Sequence, residues 1–152
     1  MSWGKAARTD EGFGLQYAAL PWRAGEVGRE VLLVTSRDTG RWVIPKGWPM
    51  KKKAPHEAAA REAFEEAGVL GEVAEAPLGT YSYLKAFKGE LWFRCEVQVF
   101  PLEVRQERKR WPEAGERTRR WFPPAEAAQA VAEPELQRLI RDWASEGAAR
   151  DV

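Results

Sequence analysis

The chain has 152 residues, of which 44% are hydrophobic and 31% are charged, a composition typical of a globular domain with a sizeable core. Its formal net charge of +1 gives no overall field that would favour nucleic acid or an anionic membrane as a partner. No apolar run is long enough to cross a bilayer, and the single cysteine, Cys95, excludes an intramolecular disulfide. We therefore expect one domain over 1–152 in a reducing cytoplasm, with poorly ordered ends at 1–12 and 147–152.

Periodicity and turn residues divide the chain into a first group of strands, one central helix, a second group of strands and two late helices. Strands are predicted at 13–22, 31–36, 42–44, 71–76, 79–86 and 91–104, and helices at 55–67, 124–131 and 133–145. A hairpin turn is predicted at 87–90, and a long charged loop at 105–118. Strands mixed with three helices predict a layered α/β architecture.

The central helix carries three carboxylates, Glu62, Glu65 and Glu66, at positions i, i+3 and i+4. On a helix these side chains lie within an arc of roughly 100°. Like charges at this spacing repel one another, so a counter-charge best explains the cluster. Hard divalent cations prefer carboxylate oxygens, and the pattern therefore indicates a metal site. An acidic, solvent-exposed helix face is the alternative.

The stretch around these carboxylates resembles the Nudix box, G-x5-E-x7-R-E-U-x-E-E-x-G-U, in which U is a bulky aliphatic residue. Two positions depart from this pattern: Ala63 is small, and Lys53 stands in place of the first Glu. A lysine there cannot hold a metal, and we expect Glu57 to orient the box arginine instead. The matching residues are Gly47, Arg61, Glu62, Glu65, Glu66, Gly68 and Val69.

The resemblance extends to the segments 31–53 and 119–131, which are similar to the strands and the helix on either side of the box. It implies the Nudix α/β/α sandwich, an α/β fold with a mixed β-sheet. It also implies a metal-dependent pyrophosphohydrolase that cleaves a phosphoanhydride bond with Mg2+ or Mn2+ as its cofactor. The metal ligands it implies are Glu62, Glu65, Glu66 and the backbone of Gly47.

Hydrolysis requires a base that takes a proton from water. In the Nudix family this base is either a box glutamate or a carboxylate of a late loop. The box glutamates here are Glu62 and Glu66, and the loop offers Glu113 and Glu116. Both sources remain open from the sequence.

A phosphorylated small-molecule substrate also needs fixed cations. Lys46, next to the box glycine, is the first candidate, followed by Arg37, Arg41 and Lys51. Trp111 in the charged loop is a candidate for stacking on a base.

The sequence 45–47 (PKG) and the segment 119–122 (RRWF) are similar to the diphosphoinositol polyphosphate and diadenosine polyphosphate hydrolases. That resemblance implies a polyphosphorylated substrate, and ADP-ribose or another nucleoside diphosphate derivative is the alternative. A catalytically silent, ligand-sensing Nudix-fold module is the alternative of another class. The intact Glu62, Glu65 and Glu66 favour an enzyme.

Overall fold

The computed structural model describes residues 13–87 and 91–150, which form one mixed sheet and three helices. The predicted α/β class is confirmed. The elements are β1 (Gly14–Ala24), β2 (Arg29–Thr35), β3 (Trp42–Val43), β4 (Lys46–Gly47), α1 (Pro55–Ala67), β5 (Val69–Val73), β6 (Gly79–Phe87), β7 (Leu91–Glu107), β8 (Arg119–Phe122), α2 (Pro124–Ala130) and α3 (Pro134–Arg150).

Two long strands, β1 and β7, organise the sheet, whose main path is β3-β2-β1-β7-β5. They pair in parallel, whereas the other strand pairs of the described sheet are antiparallel. On its other side β1 pairs first with β4 and then with β2, while β7 pairs with β6 and then with β5. The short β4 is thereby fixed beside the middle of β1, next to α1.

The two faces of the sheet are covered by different helices, as alternate residues of β2 show. Leu32 and Val34 pack in the core under α1, and Val31 and Leu33 pack in the core under α2 and α3. Fully burying such a side chain contributes about 1.5–3 kcal/mol to folding. The result is the predicted three-layer sandwich, helix on sheet on helices. Cys95 of β7 is buried, as predicted.

Helix α1 forms at the predicted residues because both of its ends carry strong signals. Pro55 occupies the first turn, and the backbone N–H of Ala54 donates to Glu57 Oε1 at 2.8 Å. Gly68 ends the helix with φ of 69°, a left-handed conformation that glycine adopts without strain. The buried face consists mainly of alanine, which lets α1 lie close to the sheet.

Several predicted boundaries were wrong, for reasons that pairing explains. Strand β5 occupies Val69–Val73 rather than 71–76, because the chain turns directly from Gly68 into the sheet. Val69 pairs with Glu107, so β7 extends past residue 104 and shortens the predicted loop to about 108–118.

The remaining differences concern β4 and the end of the chain. Lys46–Gly47, predicted as loop, pairs with β1, and α3 continues to Arg150 rather than ending at Ser145. The predicted turn over 87–90 and the predicted poorly ordered ends 1–12 and 147–152 include residues outside those described. No helix among the described residues is long and apolar enough to span a membrane.

Candidate active site

A cleft of about 370 Å³ lies where β4, α1, β6 and the loop 108–118 meet. It collects side chains from distant parts of the chain, because β1 places β4 against α1 and β7 places β6 beside them. Its lining is strongly polar. The lining residues are Gln16, Ser36, Arg37, Asp38, Val43, Lys46, Gly47, Trp48, Glu62, Glu66, Tyr83, Lys85, Glu113 and Arg117.

Two carboxylates of α1, Glu62 and Glu66, form an acidic wall of the cleft. Burial, together with the charges of Glu66 and Glu113, raises the pKa of Glu62 to about 8. Burial likewise raises the pKa of Glu66 to about 7, against the lowering effects of Arg117 and Lys46. The carboxylate of Glu62 lies against Gly47, and a Cβ at that position would overlap it. The glycine therefore provides the space that the carboxylate occupies.

The third predicted ligand, Glu65, points differently from the other two. Its Oε1 pairs with Arg61 at 3.3 Å, and its Oε2 is buried with no hydrogen-bond partner. The expectation that Glu57 orients Arg61 is wrong, because Glu57 caps the N-terminus of α1 instead. A buried carboxylate oxygen without a partner is costly, so this atom is suited to meet a cation.

Arg117 and Glu113 bring the loop 108–118 into the cleft. Arg117 Nε donates to Glu113 Oε1 at 2.7 Å, and Nη2 lies 3.7 Å from Glu66 Oε1. Sequence reasoning missed Arg117, since the charged segment offers many arginines and nothing in the pattern marks the buried one. Glu116 does not line the cleft and pairs instead with the exposed Arg37 at 3.2 Å.

Lys46 and Lys85 provide positive charge in the same cleft. Burial lowers the pKa of Lys46, opposed by the charge of Glu66. The Lys46 ammonium lies 5.0 Å from the centre of the Tyr83 ring, and the Tyr83 hydroxyl donates to Gln16 at 2.6 Å. Lys85 was not predicted; it lies two residues beyond Tyr83 on β6, where strand alternation places both side chains on one face.

The remaining predicted substrate-binding residues lie outside the cleft. Lys51 and Arg41 are exposed, and Arg41 donates to Thr39. Trp111 packs at the C-terminal end of α1, where its Nε1 donates to the carbonyl of Glu66 at 3.0 Å and its ring lies under the Arg119 guanidinium.

The model of the NUDIX domain matches residues 16–143, which is most of the chain. The chain belongs to the Nudix family. Nudix hydrolase 12, mitochondrial, of Arabidopsis thaliana is 36% identical over 117 residues, which cover 75% of this chain and 58% of that protein. The chain thus spans little more than half of that relative's length.

Two further similarities are informative. Diphosphoinositol polyphosphate phosphohydrolase 3-alpha of Mus musculus is 30% identical over 123 residues, covering 80% of this chain and 71% of that protein. A binary complex of the C. elegans Ap4A hydrolase superposes with a TM-score of 0.66 at 19% identity, covering 89% of this chain and 98% of that one. At that identity the superposition shows the shared fold.

The Nudix box of this chain meets the chemical requirement for a divalent cation. Among residues 13–87 and 91–150, no three His, Cys, Asp or Glu side chains converge on one point as they stand. However, Glu65 Oε2 is buried without a hydrogen-bond partner, and the negative charges of Glu62 and Glu66 repel each other, so a cation would stabilise all three side chains. These three donors, all hard oxygens, therefore fit Mg2+ or Mn2+.

This arrangement predicts that the metal-free protein loses stability as the pH rises. The folded pKa values of Glu62 and Glu66, about 8 and about 7, lie above the ordinary value of 4.5. Between pH 4.5 and about pH 8 the folded state therefore binds more protons than the unfolded chain. The free energy of unfolding consequently falls as the pH rises through this range. Denaturant unfolding at pH 5.5 and at pH 8.5 in a chelator measures the difference.

The control compares Glu62→Gln with Glu75→Gln, an exposed position outside the cleft. The Glu62 variant should flatten the pH dependence, and the Glu75 variant should retain it. A wild-type free energy of unfolding that stays level or increases from pH 5.5 to 8.5 would contradict the prediction.

Proposed function

We propose that the chain is a metal-dependent Nudix pyrophosphohydrolase that cleaves a phosphoanhydride bond in a polyphosphorylated small molecule. The observation that carries the proposal is one cleft holding carboxylates of α1 together with the two lysines Lys46 and Lys85. Carboxylates suit a divalent cation, and ammonium groups suit phosphate oxygens. Family membership and the hydrolase names of the relatives support it.

In this proposal Glu62, Glu65 and Glu66 hold Mg2+ or Mn2+. When bound there, a divalent cation would supply positive charge for phosphate oxygens and would acidify water. The backbone at Gly47 leaves room for the Glu62 carboxylate beside it. The proposed metal-binding oxygens are thus carried by a helix, which positions them more precisely than a loop would.

Glu113 is the proton acceptor that we propose. It lines the cleft, whereas Glu116 does not and pairs with the exposed Arg37 at the edge of the lining. Its carboxylate is held by Arg117, whose Nε lies 2.7 Å from Glu113 Oε1. Its backbone N–H donates to the carbonyl of Glu65 at 3.1 Å, so the loop carboxylate is attached to the helix that carries the proposed metal ligands.

Lys46 is proposed to bind phosphate. The Lys46 residue is half-buried, and no carboxylate in the described residues forms an ion pair with its ammonium. A partly desolvated cation without a pair favours an anionic ligand. With Lys85 nearby, the cleft suits a chain of several phosphates, such as diadenosine tetraphosphate or a diphosphoinositol polyphosphate. ADP-ribose, which carries only two phosphates, is the alternative.

The test is phosphate release from diadenosine tetraphosphate, a diphosphoinositol polyphosphate and ADP-ribose, with and without Mg2+. We expect turnover only with metal, and a higher kcat/KM for the polyphosphates. Each charge-assisted contact contributes about 1.5–3 kcal/mol, so Lys46→Ala should lower kcat/KM for them by at least about tenfold.

Lys51→Ala is the matched control, because that lysine is exposed outside the cleft lining. If ADP-ribose is preferred and Lys46→Ala changes little, the polyphosphate assignment fails and the hydrolase assignment stands. Binding of these ligands without any hydrolysis would instead indicate the silent sensing module.

A further inference from the structure

The side chain of Arg117 joins three parts of the fold around the cleft and is only 9% exposed. Its Nη1 donates to the carbonyl of Thr35, at the end of β2, at 3.0 Å. Its Nε donates to Glu113 Oε1 at 2.7 Å, and its Nη2 lies 3.7 Å from Glu66 Oε1. One planar group therefore contacts the sheet, the loop and α1.

These contacts determine where the Glu113 carboxylate lies. The backbone of Glu113 is attached to α1 through the carbonyl of Glu65, and its side chain is attached to the sheet through Arg117. A guanidinium is rigid and planar, so fixing one of its nitrogens on the Thr35 carbonyl also orients the others. Breaking one contact of a buried, paired charge disturbs the rest of the network.

We propose that Arg117 is a positioning residue that holds the Glu113 carboxylate beside Glu66, in the place where it accepts a proton. This inference rests on the proposed function. Arg37 holds the Glu113 carboxylate less firmly than Arg117 does, because its side chain is 52% exposed and its Nε lies 3.9 Å from the same Glu113 oxygen. Its closer contact, at 3.2 Å, is with Glu116.

Arg117 acts through Glu113 rather than on phosphate. Each of its three guanidinium nitrogens already faces a protein oxygen, from Thr35, Glu113 or Glu66. Of the other cations that line the cleft, Arg37 pairs with Glu116, and Lys46 and Lys85 remain for the substrate. Removing Arg117 should therefore affect kcat much more than KM.

The experiment compares Arg117→Gln and Arg117→Lys with Arg105→Gln. Arg105 is the matched control, since it is 60% exposed and pairs with two glutamates, Glu72 and Glu103, away from the cleft. Misplacing a reacting group by about 1 Å costs up to about 100-fold, so kcat should fall by at least about tenfold in Arg117→Gln with KM within about twofold. Arg117→Lys should restore only part of kcat, because an ammonium cannot make the forked contacts.

The double variant Glu113→Gln/Arg117→Gln separates action through Glu113 from an independent role. If Arg117 acts through Glu113, the double variant should have the same kcat as Glu113→Gln alone, within about twofold. Losses that multiply would overturn the inference, and so would a raised KM at unchanged kcat.

Amide hydrogen exchange provides a readout that does not depend on turnover. The Glu113 amide, which donates to Glu65, should exchange faster in Arg117→Gln and at the wild-type rate in Arg105→Gln. Unchanged exchange at Glu113 would overturn the positioning role. If the wild-type protein hydrolyses none of the substrates while exchange responds as expected, the proposed function fails and the positioning of Glu113 stands.

Discussion

Glu66→Gln should lower kcat by at least about 100-fold at saturating Mg2+, because the amide cannot supply the negative oxygen that a divalent cation requires. The fold should survive this change. Glu66 is only 7% exposed, and its raised pKa of about 7 means that the site already accommodates a neutral carboxyl group. Glutamine has nearly the same shape, so the thermal midpoint should change little.

The measurement is steady-state kinetics over a range of Mg2+ concentrations together with thermal unfolding. Glu75→Gln, at an exposed position outside the cleft, is the control and should match the wild type in both. A kcat near the wild-type value in Glu66→Gln at saturating Mg2+ would contradict the proposed role of Glu66 as a metal ligand.

Gly47→Ala should abolish most activity while leaving the protein folded. A Cβ at this position would occupy the space of the Glu62 carboxylate, which lies at the far end of a flexible side chain. The carboxylate can therefore move aside at little cost in stability, but it would leave the position from which we propose it holds the metal. We expect kcat to fall by about 10–100-fold, the range found when metal-site geometry is disturbed.

Gly28→Ala is the matched control, since a Cβ there meets no heavy atom within 4 Å. Both variants should unfold at temperatures close to that of the wild type. Binding of Mn2+, followed by its electron paramagnetic resonance signal, should weaken in Gly47→Ala alone. Retained turnover in Gly47→Ala would show that Glu62 need not lie against residue 47.

The parts of the fold that depend on local chemistry were predictable from the sequence. Helix α1 begins at Pro55 and ends at Ala67 as expected, because a proline and a glycine mark its ends. The acidic face was also recognisable from local sequence, because the helical period alone places Glu62 and Glu66 on one side of the helix.

The parts that depend on distant pairing were not predictable in the same way. Lys85 reaches the cleft because β6 pairs with β7, and a single strand pattern does not reveal which face meets a site. Trp111 was expected to stack on a base because it lies in a charged loop. Its indole N–H instead donates to the carbonyl of Glu66 near the end of α1, a contact that only the three-dimensional arrangement reveals.

Helix α1 places Glu62, Glu65 and Glu66 in its C-terminal half, the negative end of the helix macrodipole, where carboxylates are disfavoured. Its last turn contains no basic residue. Donors from distant parts of the chain compensate for this: the Trp111 indole of the loop 108–118 and the Arg119 guanidinium of β8 donate to the carbonyls of Glu66 and Ala67. The electrostatic capping of this helix is thus supplied from outside its own sequence, and a bound divalent cation would add positive charge at the same pole. Binding of the metal would therefore also stabilise the C-terminal end of α1, because the cation would offset the same negative charge that these two donors offset.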